Sequence, residues 1–385
     1  MSRFSDLVSK AAREIGGYSP DPAKLDDPAD IPPRLIKLDS NENPFGPSPL
    51  AIEAMHAELS SAHRYPDHNC GTLRCELGAH HAVRAQEVLV TPGSTGMLSL
   101  LCRTMLGPGL NAVTSERSFI VYSMAVQAVG AQLIEAPMRG DEFDLVAIWA
   151  AINDDTRVVF LSNPNNPTGT MIEAGAVDEF LAQVPGHVVV VLDEAYYEFA
   201  LAFAAMRKVE YSKSLDYVRQ GAAVVVLRTF SKVHGLAGLR IGYGLGPAEL
   251  FGYCARIADT YSVSSVGQAA ALAAINDQDH IRKTVLNNGA QARILEEGLT
   301  ELGYRTVPTW ANFVYCDVGE DAAGFAGRLR TQGISVRPLG AWGAASCVRV
   351  SIGTAEQNRA FLDAVRRIGA GQTRHQQPHV PYRQR

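Results

Sequence analysis

Four residues of different type in the middle of this chain could together hold and use one phosphorylated aromatic aldehyde. Lys232, in Thr229-Phe230-Ser231-Lys232, offers an amine for the aldehyde, and Asp193 offers a carboxylate for a ring nitrogen. Asn166 offers an amide for a phenolate oxygen, and Arg240, eight residues past Lys232, a guanidinium for a phosphate. That complement fits pyridoxal 5'-phosphate (PLP), which a protein must hold covalently, keep protonated at its ring nitrogen and provide with a proton carrier. Lys232 is the candidate for both the covalent link and the proton transfer. Asp193 closes the apolar run His187–Leu192. A carboxylate there is costly unless it meets a cation, and a pyridinium nitrogen would serve. Tyr196 is a second donor to the phenolate oxygen. On a regular strand end Glu194 should face away from Asp193.

The phosphate needs backbone donors as well as a cation. Gly93-Ser94-Thr95-Gly96 lies between a strand-like run and the apolar helical run MLSLLCRTML, so its amides, with those of Ser94 and Thr95 foremost, should open a helix N-terminus suited to an anion. Thr229 and Ser231 add hydroxyls, and Arg240 can bind bidentately. Arg349, in Val348-Arg349-Val350-Ser351, is a cation in an otherwise apolar strand. It is the candidate clamp for a substrate carboxylate, with Arg337 next in line for a second anionic group. Phe119 and Tyr122 follow another strand, and one of them should stack on the ring face.

These residues follow short apolar runs that alternate with helical segments from about residue 87 onward. The runs are Glu87–Thr91, Asn111–Thr114, Gln132–Ala136, Arg157–Leu161, His187–Leu192, Ala222–Leu227 and Arg240–Leu245. Continuous β-branched stretches such as VVVVL and AVVVL suit strands buried on both faces. The pattern predicts an α/β fold with a large, mostly parallel seven-stranded sheet covered by helices, its ligand at the strand C-termini. A long helical region over 265–300 and then shorter strands and helices predict a smaller C-terminal α/β domain. The expected organisation is an N-terminal arm and start of the small domain (1–38), a large PLP-binding domain (39–265), a linking helix with the small domain (266–370) and a disordered tail (371–385). The Pro/Asp-rich stretch within 1–38 cannot form a long helix, and carries Tyr18 near its tip.

Composition excludes several other classes. The 385 residues carry a net charge of -5, so neither nucleic acid nor an anionic membrane is an expected partner. The start lacks the apolar core of a signal peptide, and no apolar run is long enough to span a membrane. Six scattered cysteines read as free thiols in a reducing cytoplasm. Gly242-x-Gly244-x-Gly246 falls inside a strand-like run and opens no βαβ unit, which argues against a dinucleotide. The cluster His63, His68, Cys70, Cys75, His80 and His81 has no usual zinc spacing, so no metal is expected.

In order along the chain, LDSNENPFGPSP (38–49), RYPD (64–67), SNPNNPTG (162–169), DEAYYEF (193–199), LRTFSKVHGLAGLRIGYG (227–244) and VRVSIGT (348–354) resemble the fold-type I PLP aminotransferases, and closely the histidinol-phosphate aminotransferase branch. The resemblance covers essentially the whole chain except its extreme tail. It implies Lys232 as the cofactor lysine, Asp193 as the ring-nitrogen partner, and Asn166 and Tyr196 as phenolate partners. It also implies Phe119 as the stacking ring with Tyr122 beside it, and Thr229, Ser231 and Arg240 as the phosphate cup. Tyr65 is similar to the tyrosine that reaches the neighbouring subunit's phosphate, which implies an active homodimer. Asn43 lies in a segment that usually lines the substrate entrance, and Tyr18 matches an arm tyrosine. Arg349 and Arg337 resemble the two anion-binding arginines. Two positions depart from the pattern: Ser94-Thr95-Gly96 stands where a family member usually has an acidic pair, and Arg117 precedes Ser118-Phe119 where proline is usual. An arginine at that rim could select another anionic substrate or face solvent.

The expected activity is transfer of an amino group between glutamate, or a similar donor, and an oxo substrate, with histidinol phosphate and imidazole acetol phosphate favoured. An aromatic amino acid aminotransferase is the near alternative, and a PLP decarboxylase, lyase or oxidase on the same fold is the more distant one.

Overall fold

The computed structural model describes residues 4, 7–15 and 35–370. Tyr18, most of the arm and the segment 371–385 lie outside the described residues. The seven apolar runs form one sheet, in the order Val88–Thr91, Gly242–Leu245, Val224–Thr229, Val189–Asp193, Thr156–Ser162, Asn111–Ser115, Gln132–Ala136. The inner strands are buried along nearly their whole length, as helices on both faces require. Gly242–Leu245 alone in this sheet runs antiparallel to its neighbours. Pattern alone could not give that direction, because four buried residues read the same either way.

Register places the chemistry at one edge. Ser162 lies opposite Asp193, and Asp193 opposite Leu227. Thr91, Gly242 and Thr229 form one row across the antiparallel strand. The turns that leave these positions therefore meet above the same end of the sheet. Gly242 is where two of them touch: a Cβ there would sit 2.7 Å from the Ser94 amide nitrogen. Glycine lets the Gly93-Ser94 turn lie directly on the strand.

A second sheet of five strands has the order Ile36–Leu38, Ile334–Leu339, Ala344–Ser351, Phe313–Asp317, Arg305–Val307. Ile36–Leu38 pairs parallel with Ile334–Val336, so the chain enters the site directly from this sheet. Its core includes Leu295, Leu299, Phe325, Val350 and Phe361. The 265–300 region is two helices, Ser265–Ala274 and Gln278–Glu301. The first ends at Ala274, and Asp277 caps the second by accepting from the His280 amide, while the Ser48 hydroxyl donates to its other oxygen at 2.6 Å. An Asp at that point offers a cap that outcompetes helix continuation. Among the described residues no helix is long and apolar enough to cross a membrane.

Candidate active site

A cavity of about 210 Å³ lies between the C-terminal edge of the large sheet and the Ala344–Ser351 strand. Ser94, Thr95, Phe119, Asn166, Asp193 and Tyr196 line it from the large sheet's turns. Thr229, Ser231, Lys232 and Arg240 complete that side, and Arg349 enters from the small sheet.

At one end stands the helix Gly93–Met105, whose first turn begins with Gly93 at φ +74. Its leading amides have no intrahelical acceptor and carry the positive end of the helix dipole. A Cβ on Gly93 would lie 2.7 Å from Arg240 Nη2, so the guanidinium closes directly over the turn. Thr229 Oγ1 donates to Ser231 Oγ at 3.0 Å, and Arg240 Nη1 donates to Ser231 Oγ at 3.5 Å and to the Ala237 carbonyl at 2.8 Å. Two hydroxyls, a guanidinium and free helix amides make a site for a phosphate.

Asp193 is buried at another wall. Tyr122 donates its hydroxyl to Asp193 Oδ2 at 2.9 Å, and the Ala195 amide donates to Oδ1 at 3.2 Å. Burial raises the Asp193 carboxyl to about 6 despite these two donors. Among the described residues it has no ion pair, Lys232 acting on it only through space, so the carboxylate suits a protonated ring nitrogen. Lys232 Nζ lies 3.4 Å from the Ser40 carbonyl. Burial lowers its amine to about 7, and the Arg349 guanidinium adds to the shift. A neutral amine at physiological pH is what a nucleophile and proton acceptor needs.

Asn166 and Tyr196 face this amine with their polarity set from behind. Arg349 Nη1 donates to Asn166 Oδ1 at 2.6 Å, which turns the Asn166 NH2 group the other way, toward any phenolate oxygen in the cavity. Asn41 Nδ2 donates to the Tyr196 hydroxyl oxygen at 3.0 Å, which fixes the phenol in the cavity wall. Phe119 supplies the flat face, edge-on to Tyr122 with ring centroids 5.6 Å apart. It also lines a wider adjoining cleft of about 770 Å³ that runs past Arg117 and Trp342. The donor set matches PLP group by group: phosphate, ring nitrogen, phenolate, aldehyde and ring face each meet a suitable side chain.

Several expected residues stand elsewhere. Tyr122 is outside this cavity's lining but lines the adjoining cleft; it is fully buried, stacked on Phe160 at 4.7 Å and bonded to Asp193 from behind. Asn43 does not line the entrance either. Its amide nitrogen is taken by the Val233 carbonyl at 2.7 Å and Thr284 Oγ1 at 3.1 Å, tying the Lys232 loop to the Gln278–Glu301 helix. The same segment reaches the cavity through Ser40, Asn41 and Glu42 instead, which sequence reasoning missed. The density of hydrogen-bonding side chains in Asp39-Ser40-Asn41-Glu42-Asn43 was the available signal. Arg337 is the register partner of Arg349 but stays outside the cavity lining, its Nε 3.4 Å from the Asp39 carbonyl. Tyr65 is 82% exposed and stacks on Tyr261, away from the cavity. Arg117, partly exposed at the rim of the adjoining cleft, is held by Asp141 at 3.3 Å and by the Gly140 carbonyl at 2.6 Å. Glu194, as expected, turns away from Asp193 and pairs with Arg228 at 2.7 Å.

The fold and this donor set define a PLP-dependent transferase of fold type I, and comparison with known proteins narrows the class. The model of the class I and II aminotransferase family matches residues 33–365, and the chain belongs to that family. It is 41% identical over 371 residues to histidinol-phosphate aminotransferase 2 of Pseudomonas aeruginosa, covering 96% of this chain and 99% of that one. The histidinol-phosphate aminotransferase of Sinorhizobium meliloti, solved in complex with pyridoxal-5'-phosphate, superposes with a TM-score of 0.80 at 27% identity, covering 87% of this chain and 92% of that one. The aspartate aminotransferase of Thermus thermophilus with maleate gives a TM-score of 0.76 at 25% identity, covering 88% and 91%. The protein is a PLP-dependent aminotransferase, similar to the histidinol-phosphate branch, acting on small amino and oxo substrates.

Proposed function

We propose that this enzyme moves an amino group between glutamate, or a similar donor, and the histidinol phosphate/imidazole acetol phosphate pair. The observation that carries the substrate assignment is the near full-length likeness to the Pseudomonas aeruginosa histidinol-phosphate aminotransferase. Bound PLP supplies an electron sink for the substrate's Cα. Lys232 holds the cofactor and afterwards carries the Cα proton on Nζ, a task suited to an amine lowered to about 7. Asp193 keeps positive charge on the ring nitrogen, while Asn166 and Tyr196 donate to the phenolate oxygen. Ser94, Thr95, Thr229, Ser231 and Arg240 hold the phosphate, and Phe119 packs on the ring. Arg349 is the carboxylate clamp: on substrate entry one of its nitrogens exchanges a neutral amide or carbonyl for an anion. Arg337, one strand over, is the second anion site.

Tyr65 supports a further part of the reading. An exposed tyrosine outside its own cavity can reach a neighbouring subunit, which supports a homodimer as the active form, and the free cysteines among the described residues suit the cytoplasm. Sedimentation at micromolar concentration should give a dimer, and a fully active monomer would remove Tyr65 from the site. For the substrate, single half-reactions followed by absorbance should convert the cofactor fastest with glutamate and histidinol phosphate. Preference for phenylalanine or tyrosine would make it an aromatic amino acid aminotransferase, and release of carbon dioxide would end the transaminase reading. Borohydride fixation and peptide mapping should place the cofactor on the peptide containing Lys232, and Lys232→Ala should abolish both label and turnover.

A further inference from the structure

Behind the Lys232 loop a second cleft, of about 580 Å³, opens between helix Tyr197–Arg207 and the start of helix Gln278–Glu301. Its size lies within the range of small-molecule sites. Leu201, Ile281 and Val285 make its apolar wall. Two polar groups on the same wall, one buried and one part-buried, are short of partners. His234 is 7% exposed, and its Nδ1 has no hydrogen-bond partner. Glu198 has no ion pair and no bond to another side chain among the described residues, its carboxylate accepting from its own amide.

Charge accounting gives the ligand's sign. Arg228, also on this wall, is matched by Glu194 at 2.7 Å and lies 3.3 Å from the Tyr197 ring centroid. Burial lowers His234 to about 4 and His81 to about 2, so both rings are neutral at physiological pH. His81 is further occupied by the Tyr243 hydroxyl at 2.8 Å. At the rim, Arg282 is exposed and turned to Asp279 at 3.2 Å. That leaves one carboxylate, that of Glu198, with no ion pair among the described residues, Arg228 acting on it through space. Burial raises its pKa, and Arg228 offsets only part of the rise.

We infer that this cleft binds a small organic ammonium ion, its apolar body on Leu201, Ile281 and Val285, its charge at Glu198 and an N–H donated to His234 Nδ1. An ammonium ligand meets both deficits at once: a cation for the part-buried acid and a donor for a buried acceptor. A neutral apolar ligand meets neither, and an anion would face Glu198. The site is separate from substrate binding yet only two residues along the chain from Lys232.

The test uses PLP-loaded enzyme and N,N-dimethylbenzylamine, which is protonated at neutral pH, keeps one N–H and, as a tertiary amine, cannot condense with the cofactor aldehyde. Calorimetric titration should show saturable binding with a Kd on the order of 1 mM. Benzyl alcohol and benzoate should bind at least about tenfold more weakly. Glu198→Gln should weaken the amine about tenfold, and Leu201→Trp, at a half-exposed position, should fill the cleft and abolish binding. Both variants should retain the wild-type Tm and transaminase rate. Absence of saturable binding, equal affinity for benzyl alcohol, or unchanged affinity in Glu198→Gln while Leu201→Trp still blocks, would each overturn the assignment. None of these outcomes bears on which amino acid the catalytic site takes.

Discussion

Asp193 and Glu194 are adjacent, both buried, and end in opposite circumstances. Glu194 has every oxygen engaged: Arg228 at 2.7 Å, Ser214 at 3.0 Å and the Ser212 hydroxyl at 2.5 Å. Asp193 has a phenol and an amide, and no ion pair among the described residues. Strand alternation sends the two carboxylates to opposite sides, and the partners there decide what each is for. A carboxylate whose charge is met inside the chain holds the fold together. One that is desolvated, oriented and left short of a cation is arranged for a ligand. Satisfaction of the buried charge, more than burial itself, separates the structural side of this strand from its catalytic side.

The comparison can be broken from either side. Asp193→Asn should cut kcat on the order of 10³-fold, about 4 kcal/mol of transition-state stabilisation, with Tm nearly unchanged. Loss of fold with retained specific activity would reverse the assignment. Glu194→Gln should do the opposite: a buried Arg228 without its partner costs about 3–5 kcal/mol of stability, read by urea unfolding, with modest effect on turnover of the folded fraction.

Lys232 tests the electrostatics of the same cavity. In cofactor-free protein its modification by trinitrobenzenesulfonate should have a midpoint near pH 7, because burial and Arg349 both disfavour the charged amine. The amine is thus protonated and unreactive below that pH and neutral above it. A midpoint near the ordinary 10.5 would show the cavity to be wetter than its geometry indicates. Arg349→Ala should raise KM for glutamate roughly thirtyfold, about 2 kcal/mol, with a smaller change in kcat. Unchanged glutamate kinetics would remove the clamp. Tyr122→Phe is the finest probe. It removes a donor that holds the Asp193 carboxyl down, so its infrared titration in cofactor-free protein should move above about 6. The accompanying loss in turnover should be only a few-fold, about 1 kcal/mol.

Much of the large sheet is legible in the sequence because buried parallel strands leave long β-branched runs, and the seven runs lie within a few residues of the observed strands. Residues that sit at strand ends were equally accessible: Lys232, Asp193, Arg240 and Asn166 each follow such a run and meet in one cavity. What could not be read depends on docking between distant segments. Asn41 donates to Tyr196 while its own amide donates to Ser351 Oγ at 2.7 Å. No local pattern announces that three-way contact. Tyr122 and Asn43 stand outside that cavity's lining for a related reason. Both are near the site in sequence and space, but the direction of a side chain, toward ligand or toward core, is fixed by neighbours that arrive from elsewhere. Arg117 shows the same limit, since its partner Asp141 sits on a separate turn.

The pairing of Ile36–Leu38 with Ile334–Val336 has a consequence for folding. These two segments are far apart in sequence, so bringing them together costs more loop-closure entropy than pairing neighbouring strands. Long-range pairing of this kind slows folding, and the small sheet is completed at that kinetic cost.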